Sequence, residues 1–169
     1  VSRKNYLRLD KNERVNDFTK KILNKVKLSS FDLTAYPETG KIYKYLSNYL
    51  KVTKDQLVLI PGSDFGLRIC LEYFCNNKRK KIITLKPTFG MVEVYSKLNN
   101  INQIDIYYDK DFKLNYNKLL KNINKKISLI IIANPNSPTG TILTKEQMHE
   151  IISVANKYQV PVLIEFKIF

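Results

Sequence analysis

The stretch richest in chemistry is Asn134-Pro135-Asn136-Ser137-Pro138-Thr139-Gly140, a polar turn braced by two prolines and closed by a glycine. It follows the apolar run Leu129 to Ala133 and precedes a helical pattern, so its amides and hydroxyls stand at the end of a buried strand. Two other segments share that strand-to-helix setting. In Pro61-Gly62-Ser63-Asp64-Phe65-Gly66-Leu67, Gly62 allows close backbone approach, and Ser63 and Asp64 are expected to cap a helix. The free N–H groups of that first turn, at the positive end of the helix dipole, suit a phosphate. Without a ligand the same residues would make an ordinary cap, and the segment is neither a Walker loop nor a GxGxxG fingerprint. In Lys86-Pro87-Thr88-Phe89-Gly90-Met91, Pro87 stops a strand and Phe89 opens the next helix, its ring placed to stack on a planar group or pack on the core. An anion cradle, an aromatic face and a polar clamp of Asn134, Asn136, Ser137 and Thr139 together match a phosphorylated aromatic cofactor.

For these turns to meet, the strands before them must run in one direction. Apolar runs at Gln56–Pro61, Lys80–Pro87, Ile101–Tyr108, Ile127–Asn134 and Val160–Phe166 read as strands. Helical patterns at Asp64–Asn76, Phe89–Leu98, Tyr116–Ile123 and Thr144–Tyr158 alternate with them, and Thr144 with Gln147 forms a capping box. This alternation specifies an α/β fold of three layers, a mostly parallel sheet with helices on both faces. All strand-to-helix turns then emerge at one edge, where ligands of such sheets bind. Residues 1–35 match no strand of the array. They hold one expected helix, Val15–Lys27, and read as an N-terminal arm or part of a small domain, leaving 36–169 as the large domain. A further helix carries an amphipathic face of Tyr43, Leu46, Tyr49 and Leu50.

The formal charge of +14 raises the possibility of a nucleic-acid partner. The lysines are spread along the chain, however, and the one tight cluster is Lys78-Arg79-Lys80-Lys81, with no nucleic-acid motif beside it. A solvated basic surface is expected, with attraction of phosphorylated small molecules as a second use. No apolar run approaches the roughly 20 residues of a membrane span, and the polar start lacks a secretory signal, so no membrane partner and a cytoplasmic location are expected. Val1 stands where an initiator methionine would, which suggests processing or a piece of something longer. Cys70 and Cys75 lack metal-ligand spacing and read as core or boundary residues, and the single histidine, His149, reads as a surface helix residue; no metal site is expected.

The segments RLDKNER, YPETG, GSDFGL, KPTFGM and NPNSPTG occur in the order seen in the N-terminal part of fold-type-I pyridoxal-phosphate aminotransferases of class I/II. The chain most resembles their histidinol-phosphate aminotransferase-like branch, over roughly half of that fold. The resemblance implies that Ser63, Asp64 and the backbone after Gly62 bind the phosphate of pyridoxal 5'-phosphate. Phe89 takes the place of an aromatic, usually tyrosine, stacked on the pyridine ring, and Tyr36 reaches the phosphate of a neighbouring subunit, which implies a homodimer. Ser137 stands where the family commonly has an asparagine bonding the ring oxygen, with Asn136 beside it to assist.

The last strand, VPVLIEFKIF, resembles a family strand that ends in Asp-Glu-Ala-Tyr, but here Glu165 is the only carboxylate for the ring nitrogen, one methylene longer than the usual aspartate. Either Glu165 takes that role or the final residues depart from the family's course. The resemblance places the Schiff-base lysine and the substrate-binding arginine beyond residue 169, and Lys167 is not a substitute. No catalytic residue is therefore expected within the chain, which is expected to be incomplete and inactive alone. Transfer of an amino group to or from an amino acid or a phosphorylated amine, such as histidinol phosphate, is the implied reaction. The alternative is a non-catalytic remnant that binds cofactor or associates with another subunit.

Overall fold

The computed structural model describes residues 3, 6–8, 14, 16–76 and 80–166. Val15, Lys78, Arg79, Lys167 and most of RLDKNER lie outside the described residues. The chain forms two compact units, Val1–Val58 and Leu59–Phe169.

In the first unit, α1 spans Lys20–Leu23, α2 Ser30–Thr34 and α3 Gly40–Leu50, followed by a 3-10 turn at Lys54–Gln56. The expected helix Val15–Lys27 shortens to α1, whose N-cap Thr19 makes no side-chain cap bond. By contrast Ser29 and Asp32 complete a reciprocal capping box on α2, and the hydrogen bonds from Ser29 hold the Asp32 carboxyl below its ordinary range. The expected apolar face of α3 is only partly sheltered: Tyr43 and Leu46 are half-buried, whereas Tyr49 and Leu50 are exposed.

The expected strand Gln56–Pro61 is absent. Gln56 closes the 3-10 turn and residues 57–60 belong to no strand, with Val58 77% exposed. Its apolar composition has strand character, but a strand exists only when a second backbone pairs with it.

The second unit alternates α4 (Ser63–Phe74), β1 (Lys81–Lys86), α5 (Met91–Leu98), β2 (Asn102–Tyr107), α6 (Tyr116–Asn122), β3 (Leu129–Ala133), α7 (Lys145–Lys157) and β4 (Val162–Glu165). The strands form one sheet in the order β2-β1-β3-β4, and every pairing is parallel. Alternate side chains serve opposite layers. Ile83, Leu85, Ile106, Ile130 and Ile132 pack with Leu119 of α6 and with Met148, Ile151 and Ala155 of α7. Ile82, Leu129 and Ile131 pack with Leu67 and Leu71 of α4 and Val92 of α5. The expected three-layer α/β arrangement is therefore present. β3 is buried at every residue because both of its faces are covered. Cys75 joins the core as a free thiol and His149 is exposed.

α7 begins with the expected capping box, Gln147 N–H donating to Thr144 Oγ1 and Thr144 N–H to Gln147 Oε1. Tyr116 ties α6 to α7: its hydroxyl lies 2.9 Å from both the Gln147 carbonyl and Glu150 Oε2. Desolvation, then the Glu150 carboxylate, pushes the phenol from its ordinary value of 10 up to about 12. Folding favours the protonated phenol, so this stabilisation is complete below pH 10 and is lost as pH rises toward 12. Tyr116→Phe should cost about 1 kcal/mol at neutral pH and remove a late-titrating phenol from the ultraviolet absorbance titration. An unchanged urea midpoint and titration curve would show that the tie contributes nothing.

Candidate functional site

Because the strands are parallel, the turns after β1 and β3 emerge at the same edge, together with the C-terminal end of β4. The order β2-β1-β3-β4 also sends the chain outward in opposite directions from β1 and β3, making the gap between their C-terminal ends a topological switch point. A cavity of about 270 Å³ opens at this edge, with Ser63, Thr88, Phe89, Ala133, Glu165 and Phe166 among its lining residues. Much of the remaining wall is apolar, from Leu67, Val92, Ile131 and Leu163.

Gly62 begins the anion-type turn. With φ 91 and ψ 162 it occupies the N-cap position of α4, and a Cβ there would meet open space. This corrects the expectation that Ser63 and Asp64 cap the helix: they are its first residues, and no side chain bonds the cap. The shift leaves the first-turn N–H groups without intrahelical acceptors. Ser63 Oγ donates to Glu165 Oε1 at 3.1 Å, linking the turn to the end of β4. The Asp64 side chain turns to α5, where Tyr95 Oη donates to Asp64 Oδ2 at 3.0 Å. Desolvation, and secondarily the Asp64 carboxylate, pushes the Tyr95 phenol above its ordinary range.

Phe89 is half-buried against the α4–α5 core and borders the cavity. It does not open the helix as expected; Gly90 is the N-cap and α5 starts at Met91. Lys86, at the end of β1, is held by Glu93 at 3.2 Å, and Lys97 reaches the same carboxylate at 2.7 Å. Those two cations keep the Glu93 carboxyl below its ordinary range.

In the third turn Asn134 Oδ1 accepts from Leu143 N–H at 2.9 Å, fixing the exit toward α7. Asn136 is 2% exposed, and its Nδ2 donates to the Pro87 carbonyl at 2.9 Å and to Thr139 Oγ1 at 2.8 Å. Ser137 is half-buried and is not among the cavity's lining residues. The structure thus brings Ser63, Phe89 and Glu165 to one cavity, with Gly62 adjoining Ser63. Asp64 and Asn136 have protein partners, and Tyr36, 97% exposed, lies in the first unit.

Thr88 and Tyr95 were not singled out in the sequence. Thr88 had a legible signal, lying between Pro87 and Phe89; Tyr95 had only helical spacing, three residues after buried Val92. Among the described residues no group of three or more His, Cys, Asp or Glu side chains could hold a metal ion, and no helix is long and apolar enough to cross a membrane.

The donor set offers what a singly phosphorylated ring needs: a hydroxyl and helix N–H groups for the anion, an aromatic face, and a carboxylate, Glu165, held beside the Ser63 hydroxyl. Residues 5–166 match the family described as aminotransferase class I and II. A histidinol-phosphate aminotransferase from Clostridium novyi is 34% identical over 156 residues, which is 89% of this chain and 43% of that protein. One from Flavobacterium psychrophilum is 35% identical over 104 residues, covering 62% of this chain and 30% of that protein. The crystal structure of the histidinol-phosphate aminotransferase from Clostridium acetobutylicum superposes with a TM-score of 0.68 at 25% identity, over 79% of this chain and 39% of that one. Cystalysin from Treponema denticola, whose structure contains pyridoxal 5'-phosphate, has the same fold at a TM-score of 0.66 and 17% identity, over 86% of this chain and 38% of that one. The chain spans less than half the length of these relatives, and it belongs to the aminotransferase class I and II family.

Proposed function

We propose that this chain is the cofactor-anchoring part of a pyridoxal-phosphate-dependent aminotransferase that moves an amino group to or from an amino acid or a phosphorylated amine such as histidinol phosphate. The observation carrying this reading is that Ser63, Phe89 and Glu165 line one cavity at the switch point of a parallel sheet. The Ser63 hydroxyl and the N–H groups that follow Gly62 hold the phosphate. The Phe89 face supports the ring, and Glu165 faces the ring nitrogen and holds its proton. When bound, pyridoxal phosphate supplies an electron sink for the substrate's α-carbon, effective while that nitrogen stays protonated.

Glu165 accepts from Ser63 before any ligand arrives; on binding, the single Ser63 hydroxyl proton turns from Glu165 to the phosphate, which frees that carboxylate for the ring nitrogen. In the complete enzyme, on this reading, a second copy of the chain contributes Tyr36 to the phosphate, and the reactive lysine and the substrate's arginine come from beyond residue 169. The large domain begins near Tyr36, and the protein works in the cytoplasm. Its net charge of +14 favours the approach of phosphorylated ligands.

Pyridoxine 5'-phosphate is the probe of choice, because its alcohol forms no imine with the many surface lysines. Calorimetry should show saturable binding that Ser63→Ala weakens about tenfold, the loss of one charge-assisted hydrogen bond. Binding that is unsaturable, or indifferent to this substitution, would remove the assignment.

A further inference from the structure

Asn136 has no proton left for a ligand. One Nδ2 proton closes its own turn on Thr139 Oγ1, and the other crosses to the Pro87 carbonyl, which lies 49 residues away in sequence. Its main chain is committed as well: Asn136 N–H donates to the Thr141 carbonyl, and the Asn136 carbonyl accepts from Gly140 N–H, both at 2.8 Å. Among the described residues, Oδ1 is buried with no hydrogen-bond partner. Turning the amide over would set that oxygen against the Pro87 carbonyl, an acceptor facing an acceptor, so the two contacts fix its orientation. A buried acceptor left unmatched is unfavourable, and the arrangement keeps it in order to preserve the cross-turn bond.

That bond joins the two turns flanking the switch point. Pro87 is two residues from Phe89, and β1 and β3 are direct neighbours in the sheet. We infer that Asn136 is a positioning residue, a brace between the turn after β3 and the turn after β1 that sets the Phe89 ring at the cavity. The ring's ligand rests on the reading under Proposed function; the brace itself does not. Aspartate at this position would offer only acceptors to Pro87, and serine is too short to span both partners.

The test has two arms. In the ligand-free chain, Asn136→Leu should move the NMR resonances of the Phe89 ring and the Thr88 methyl, while the core methyls of Ile83 and Leu85 stay in place. Asn136→Ser makes the same comparison if the leucine variant does not fold. In pyridoxine 5'-phosphate titrations, the Asn136 substitution should weaken binding about tenfold in the otherwise native chain and less than twofold in a Phe89→Leu background. Unmoved Phe89 resonances, or losses that simply multiply in the double variant, would overturn the brace. If the native chain binds no pyridoxine phosphate, the cofactor reading fails and the NMR arm still decides the brace.

Discussion

Ile130→Ala should lower the unfolding free energy of the sheet unit by about 3–4 kcal/mol, the upper part of the usual range for truncating a buried aliphatic side chain. Ile130 is fully buried and lies in β3, between β1 and β4. It faces Ile83 in one neighbour and Val162 in the other. The side chain belongs to the core shared with α6 and α7, so the cavity it leaves has strand on both sides and little freedom to collapse. With a urea dependence of about 2 kcal/mol per molar, the midpoint should fall by about 1.5–2 M. Ile142→Ala, at a position 67% exposed, should change it by less than about 0.3 M. Equal shifts for the two would mean that β3 is not the load-carrying centre of this unit.

The contrast between β3 and residues 57–60 shows what a single sequence conveys about this fold. β3 is legible because burial on both faces demands an unbroken apolar run, a requirement written entirely in its own residues. Residues 57–60 carry a similar run and form no strand, because pairing depends on another backbone that local composition does not encode. The start of α4 was displaced for a related reason. Ser63 and Asp64 both have cap chemistry, but the φ of 91 at Gly62 makes the glycine the cap and draws both into the helix. Capping preference is a tendency of side chains, and here backbone geometry decides it.

The site divides along the same line. Phe89 could be named from its turn because β1 delivers its C-terminal end to the ligand edge. Ser63 could be named from cap chemistry although no strand precedes it, and Glu165 only from the resemblance. Their partners could not be named. Tyr95 binds Asp64 from 31 residues away and Ser63 binds Glu165 across 102, distances over which no spacing rule operates. The Asn136 amide falls between these cases: its turn was conspicuous, but its bond to Pro87 depends on β1 and β3 being neighbours.

Gly62→Ala should abolish most of the phosphate contribution to ligand binding, lowering affinity for pyridoxine 5'-phosphate by about tenfold to a hundredfold. The backbone at Gly62, φ 91 with ψ 162, lies in a region essentially reserved for glycine, and any Cβ there costs of order 1–3 kcal/mol. Space is not the obstacle, since the added carbon meets nothing within 4 Å. The strain must be relieved by rotating the backbone, which re-aims the N–H groups of Ser63 and Asp64 on the proposed phosphate. Gly62→Asn should be no better: asparagine tolerates the left-handed helical region, but a ψ of 162 lies far from it. Phosphate-free pyridoxine separates the causes, because it shares the ring and lacks the anion. Its weaker binding should change less than twofold in either variant, so that the preference for the phosphorylated ligand collapses. An equal loss for both ligands would mean that the turn supports the cavity's shape and does not hold the anion.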